Sequence, residues 1–170
     1  VVVVGIGVIP NTEWLVGSGL EIDNGVVADE YCRAAPGVFV AGDVARWKNE
    51  RYGELMRVEQ WDNAIDQGAH VARNLAAELA GDDPAAPFTP VPWFWSDQYD
   101  RKIQLAGIPG AAAQVVNGSI DEQRFVQIYA DADGTFVGAL AWNRPRQAIQ
   151  SRQLLESGAT MAEAVEKLGE

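Results

Sequence analysis

The side chain best placed for chemistry in this sequence is a single carboxylate, Asp43. It follows a short apolar run, Val38-Phe-Val-Ala41, and one glycine, Gly42. A run of that length bounded by glycine reads as a buried strand ending in a turn, and Asp43 then stands at the strand's carboxyl end. In open α/β sheets that edge is where ligands bind. A carboxylate there accepts hydrogen bonds from the hydroxyls of a sugar or ribityl chain, which points to a nucleotide cofactor. The same residues support a plainer reading, in which Asp43 caps a short turn at Val44-Ala45.

Other residues stand in patterns with chemical meaning. Glu59-Gln60-Trp61-Asp62 opens the clearest helical pattern. Free N–H groups and the positive dipole end at a helix start favour nearby negative charge, such as the C2 carbonyl of a reduced flavin ring. An ordinary acidic first turn is the alternative. Trp93-Phe-Trp95-Ser-Asp97 can stack on a planar cofactor or fill an interface between domains. His70, the one histidine, lies mid-helix and reads as structural. Cys32, the one cysteine, reads as a buried and inert thiol. A lone cysteine excludes an internal disulfide and a Cys-x-x-Cys redox or metal motif. Nothing resembles a nucleophile elbow. Arg144, Arg146 and Arg152 form one basic cluster, and Arg46, Lys48, Arg51 and Arg57 another. Each is either a solvated face or a docking patch for an acidic protein.

The elements that must position these residues follow from pattern. Val1-Val-Val-Val4 is β-branched, as in strands buried on both faces, and exits through Gly5-Ile-Gly7. Leu20 to Ala28 reads as a hairpin around Asn24-Gly25, the pair that suits a type I′ turn. Residues 46–57 read as a polar stretch. From about Gln60 to Ala80 the pattern is helical, with Ile65, Gly68, Ala69, Ala72, Leu75, Ala76 and Leu79 on the side predicted to pack, and Gly81 as the stop. Pro84, Pro87, Pro90 and Pro92 mark a linker. Beyond it, residues 101–106, 113–116, 124–130 and 135–142 read as strands, with Asp131-Ala-Asp-Gly134 closing a hairpin. Pro145 suits the first turn of a helix and Gly158 its stop. Thr160 and Glu163 form a capping box for a last helix.

At 170 residues with 48% apolar and 22% charged residues, the chain suits one good domain or two small ones. A net charge of −11 repels phosphate backbones and anionic lipid, so the expected partners include no nucleic acid and no membrane. The apolar start is too short to span a bilayer and lacks a basic flank. A cytoplasmic location is the plain expectation. The sequence opens without methionine, inside an apparent strand, and reads as a piece of a longer protein.

Four segments together resemble the carboxyl-terminal part of the FAD-dependent ferredoxin and rubredoxin reductases, in the pyridine nucleotide-disulfide oxidoreductase superfamily. They are Val4-Gly-Ile-Gly-Val-Ile-Pro-Asn11, Pro36-Gly-Val-Phe-Val-Ala-Gly-Asp-Val44, Arg57-Val-Glu-Gln-Trp-Asp-Asn-Ala64 and Pro92-Trp-Phe-Trp-Ser-Asp-Gln98. The Ala-Gly-Asp motif is shared by many flavoproteins; the last two segments are far more specific. The implied fold class is α/β plus α+β, an incomplete FAD/NAD(P)-binding Rossmann-like portion followed by a small α+β reductase C-terminal (interface) domain. Residues 1–10 would be the last strand of an NAD-binding domain and the crossover. Residues 11–88 would be the end of the FAD-binding domain, and 89–170 the interface domain.

The resemblance implies that Asp43 binds the ribityl chain of FAD, with Gly42 allowing close approach. Gln60 and Trp61 would sit by the flavin's pyrimidine end, Glu59 near the nicotinamide, and Trp95 and Trp93 near the isoalloxazine ring. NADH or NADPH would reduce the flavin, which would pass electrons to a ferredoxin- or rubredoxin-type acceptor. No catalytic side chain and no metal ligand is implied. The sequence departs from the pattern in having no Gly-x-Gly-x-x-Gly between a strand and a helix. The chain by itself is therefore expected to be inactive and to hold FAD weakly. Fragments of a monodehydroascorbate-reductase-like or apoptosis-inducing-factor-like flavoprotein fit the same scaffold. A third reading is a non-catalytic module, forming a homodimer through residues 93–170.

Overall fold

In Ala45-Arg-Trp-Lys-Asn49 the side chains alternate between inward and cationic, the period of a half-buried strand. The computed structural model describes residues 1–84 and 86–170 and forms that strand here as β4 (Ala45–Asn49). Ala45, Trp47 and Asn49 are fully buried. It is the middle of a three-stranded sheet, parallel to β1 (Val26–Ala28) and antiparallel to β5 (Glu54–Met56). The reading of residues 46–57 as a merely polar stretch is corrected by this pairing. Trp47 centres the core of the first unit, Val1–Thr89. It packs with Ala28, Cys32, Val58 and Phe88, and its Nε1 donates to the Phe88 carbonyl at 3.0 Å.

The Asn24-Gly25 turn forms with both residues at positive φ, 47° and 125°, but the hairpin is reduced to one bridge, Ile22 to Val26. The run at Val38 is also shorter than its apolarity suggests. It is a two-residue strand, β3 (Val38–Phe39), paired only with β2 (Arg33–Ala35), and Val38 is exposed. Residues 1–10 take no regular structure and are mostly exposed. A strand needs a neighbour for its ladder, and no segment among the described residues pairs with this one.

Helix α1 (Trp61–Ala80) ends at Gly81, whose φ of 77° fits the left-handed cap. Its buried face is Asn63, Gln67, His70 and Asn74, while Ile65, Leu75 and Leu79 face outward. The apolar side predicted to pack is thus the exposed one. Val71 and the His70 ring reach the apolar core, but much of what α1 meets in this unit is backbone, the Gly42 amide and the Tyr31 and Val58 carbonyls. Amide side chains satisfy such groups and aliphatic ones do not.

The second unit, Pro90–Glu170, is an antiparallel five-stranded sheet in the order β6-β7-β10-β9-β8. The strands are β6 (Trp93–Gln98), β7 (Arg101–Gly107), β8 (Ala112–Ser119), β9 (Arg124–Ala130) and β10 (Phe136–Trp142). Helices α2 (Pro145–Glu156) and α3 (Met161–Gly169) bring Leu155, Ala164 and Leu168 onto Ala106, Val126, Ile128 and Ala139. Pro145 occupies the first turn of α2, and the Thr160–Glu163 capping box of α3 forms with both bonds. Asp131 Oδ1 accepts from the amides of Asp133 and Thr135 and so closes the β9–β10 turn. Gly138 lets two chains touch, since a Cβ there would lie 2.0 Å from the Ile108 carbonyl oxygen.

Candidate functional site

Gly42–Val44 forms one turn of 3-10 helix between β3 and β4. It is gripped from two sides. The Gly42 amide donates to Gln67 Oε1 of α1 at 2.9 Å, and the Asp43 carbonyl accepts from Arg57 Nη1 at 3.1 Å. Gly42 has a φ of 76°, which a side chain would strain, although a Cβ there would meet only the Ala64 methyl, at an ordinary contact distance of 3.6 Å. Ala41, not Asp43, holds the cap position of the turn, and no side chain caps it. The capping role considered for Asp43 is therefore absent. Its carboxylate is exposed and has no hydrogen-bond partner among the described residues.

Arg57 also pairs with Glu59, so a single nitrogen joins the Asp43 turn to the segment leading into α1. Room for this side chain comes from Gly25, where a Cβ would lie 3.0 Å from Arg57 Cδ and 2.7 Å from the Val44 carbonyl oxygen. Gln60 is the cap residue of α1 and makes no side-chain cap bond; its Oε1 is buried without a partner. Trp61 is 72% exposed. Gly42, Asp43, Glu59 and Gln60 are thus tied into one local group, with Trp61 at its margin.

Behind the turn lies a polar ladder. Gln67 Nε2 donates to Cys32 Sγ at 3.4 Å, and Asn74 Nδ2 donates to the Tyr31 carbonyl at 3.0 Å. His70 Nε2 stands 2.9 Å from Asn74 Nδ2 and accepts from it, with the ring against Phe88. Burial, and secondarily the charge of Arg73, holds the His70 pKa below its ordinary 6.5. Burial pushes the Cys32 thiol up to about 11, so it is protonated and unreactive. Both residues are structural.

In the second unit Trp93 and Trp95 share one face of β6, opposite Ala106 and Gln104 of β7. Trp93 is half-buried against the core, with the Arg152 guanidinium 5.9 Å from its ring centre. Trp95 is 44% exposed. The basic clusters are largely paired. Arg46 pairs with Asp23, Lys48 with Glu50, Arg57 with Glu59 and Arg152 with Glu156, and Arg51 donates to the Thr89 carbonyl. Among the described residues no cluster of His, Cys, Asp and Glu could hold a metal ion, and no helix is long and apolar enough to cross a membrane.

Gln67 and Arg57 were not foreseen as site residues. Arg57 begins one of the specific motifs, and Asn63, Gln67, His70 and Asn74 recur at helical spacing, so both signals were present.

The residues at the Asp43 turn suit a particular kind of ligand. A free carboxylate accepts from hydroxyls, the orphaned Gln60 oxygen accepts from an N–H, and an uncapped helix start donates to a carbonyl. A ribityl chain joined to a flavin's pyrimidine ring offers all three.

Residues 1–68 match the pyridine nucleotide-disulphide oxidoreductase family, and residues 93–166 match the reductase C-terminal family. The chain belongs to the pyridine nucleotide-disulphide oxidoreductases that carry a reductase C-terminal domain. Within that class it is similar to rhodocoxin reductase of Rhodococcus erythropolis, 41% identical over 156 residues, covering 91% of this chain and 35% of the relative. It is equally similar to the anthranilate 1,2-dioxygenase system ferredoxin–NAD(+) reductase component of Burkholderia cepacia, 41% identical over 161 residues, covering 94% and 38%. Among solved structures, the covalent putidaredoxin reductase–putidaredoxin complex superposes with a TM-score of 0.78 at 28% identity, covering 96% of this chain and 40% of that one. The chain thus spans little more than a third of the curated relatives it matches. Its fold is a Rossmann-like α/β portion followed by a small α+β domain.

Proposed function

We propose that this chain is part of a flavoprotein oxidoreductase that passes electrons from NADH or NADPH through FAD to a ferredoxin-type iron–sulfur protein. The observation that carries the reading is Asp43, a free carboxylate on a turn fixed by Gln67 and Arg57 beside the open start of α1. Bound there, FAD supplies the conversion of a two-electron hydride donor into single electrons. The chain's own residues orient it. Asp43 accepts from the ribityl hydroxyls, and Gly42 admits the chain close to the backbone. Gln60 and the first amides of α1 meet the pyrimidine edge, where the helix start favours negative charge. Glu59 borders the nicotinamide side. Trp95 and Trp93 offer indole faces on the acceptor's side. The ferredoxin–NAD(+) reductase and the reductase–putidaredoxin complex among the relatives support the kind of acceptor. The lack of a cysteine pair among these residues suits a cytoplasmic location.

The test is Asp43→Ala in the full-length protein. Losing hydrogen bonds to a charged acceptor costs about 1.5–3 kcal/mol, or roughly tenfold to a hundredfold in affinity. FAD titration of the apoprotein, followed by flavin fluorescence, should read that loss, with Asp43→Asn intermediate. Unchanged FAD affinity in the folded Asp43→Ala variant would remove the reading.

A further inference from the structure

We infer that Arg57 is a positioning residue of the FAD site, holding the Asp43 turn and the Glu59-Gln60 segment at a fixed separation. The inference rests on the flavin reading above and adds a residue to it. Arg57 touches neither hydroxyl nor ring in that reading; it acts through the groups that do. Its Nη1 donates to the Asp43 carbonyl at 3.1 Å and pairs with the Glu59 carboxylate. The two segments flank the β4–β5 hairpin, whose Trp47–Met56 pair brings them side by side. Beyond that pair the strand ladder fixes neither the Asp43 carbonyl nor the Glu59 carboxylate, and one charged nitrogen bonded to both does.

Three features show that the placement is enforced. The Arg57 side chain is only 11% exposed, unusual for a guanidinium. Its Nε is buried with no partner, so the side chain forgoes one of its own bonds to hold this position. Gly25 supplies the clearance, at a φ of 125° and with room for no Cβ between Arg57 Cδ and the Val44 carbonyl. Lysine would not substitute well. Its ammonium carries the charge on a flexible stem and rotates freely, whereas the guanidinium plane fixes the directions of the two N–H groups of Nη1.

The test is a double-mutant cycle in the full-length flavoprotein, reading the FAD dissociation constant by fluorescence and the flavin absorption band by spectrophotometry. Arg57→Met should weaken FAD about tenfold to a hundredfold and shift the band, and Arg57→Lys should recover part of both. In an Asp43→Ala background the further loss on Arg57→Met should fall to about threefold or less, because a residue acting through Asp43 has less left to position. Arg57→Lys, read against Asp43→Ala in the same way, completes the cycle if Arg57→Met does not fold. Losses that simply multiply in the double variant, or an Arg57→Met affinity within twofold of the parent, would overturn the inference. Weak FAD binding by Asp43→Ala alone would then leave the flavin reading standing. A parent protein that binds no FAD would instead remove the reading itself.

Discussion

Gln67 offers the sharpest test of how the site is built. Its side chain is fully buried, and its Oε1 is the acceptor for the Gly42 amide at 2.9 Å. Gln67→Met keeps the length and volume of the side chain and removes the acceptor. Deleting the partner of a buried donor costs about 1–3 kcal/mol, against about 0.5–1.5 kcal/mol for the net value of an ordinary bond. Gly42 is half-buried, so water reaches its amide only partly, and a cost near 2 kcal/mol follows. At 1.4 kcal/mol per decade that is roughly a 30-fold change in the equilibrium that opens this amide. Hydrogen exchange of the Gly42 N–H, followed by NMR, measures that opening directly. The expected result is roughly 30-fold faster exchange at Gly42 while the Trp47 and Val126 amides change far less. Exchange at Gly42 within twofold of the parent, in a variant whose core amides stay protected, would show that Gln67 does not hold the turn.

Two further outcomes follow from side chains already described. His70 has a lowered folded pKa, so the stability it contributes is present above the ordinary 6.5 and lost as pH falls through the lowered value. Urea melts of the parent should weaken as pH falls below 6.5, and His70→Gln should flatten that slope; parallel slopes would count against it. In the second unit, Thr160→Ala removes the α3 cap that accepts from the Glu163 amide. The cost is about 1 kcal/mol, seen as a melting temperature lower by several degrees. An unchanged melt would mean that the capping box contributes nothing.

Where local rules acted alone, the sequence was readable. The α3 capping box, the Pro145 start of α2, the Asp131 turn and the Gly81 stop each involve residues within a few positions of one another, and each formed. Where the outcome depended on what the chain packs against, the pattern misled. The apolar spacing of α1 predicts a buried oily side, yet that helix meets backbone polar groups and buries amides. The strand at Ala45–Asn49 was hidden by its outward cations, although Trp47 between them is the centre of the core. Trp93–Gln98 shows only an aromatic cluster in sequence, because its strand identity comes from pairing with β7. Asp43 was legible as a carboxylate at a turn. The hands that hold the turn, Gln67 on Gly42 and Arg57 on Asp43, come from 25 and 14 residues further along, and only folding brings them there.

The buried amides of α1 have a mechanical consequence. A helix resting on an oily surface can roll or slide by a fraction of a turn at little cost, because one methyl contact replaces another. Asn63, Gln67 and Asn74 permit no such drift. A rotation that misaligned one bond would misalign all three, and each stranded group would be dry. The helix therefore has one seat, like a key with three cuts. The Gly42 turn, latched to the second cut, takes its position from the whole length of the helix rather than from its own short sequence.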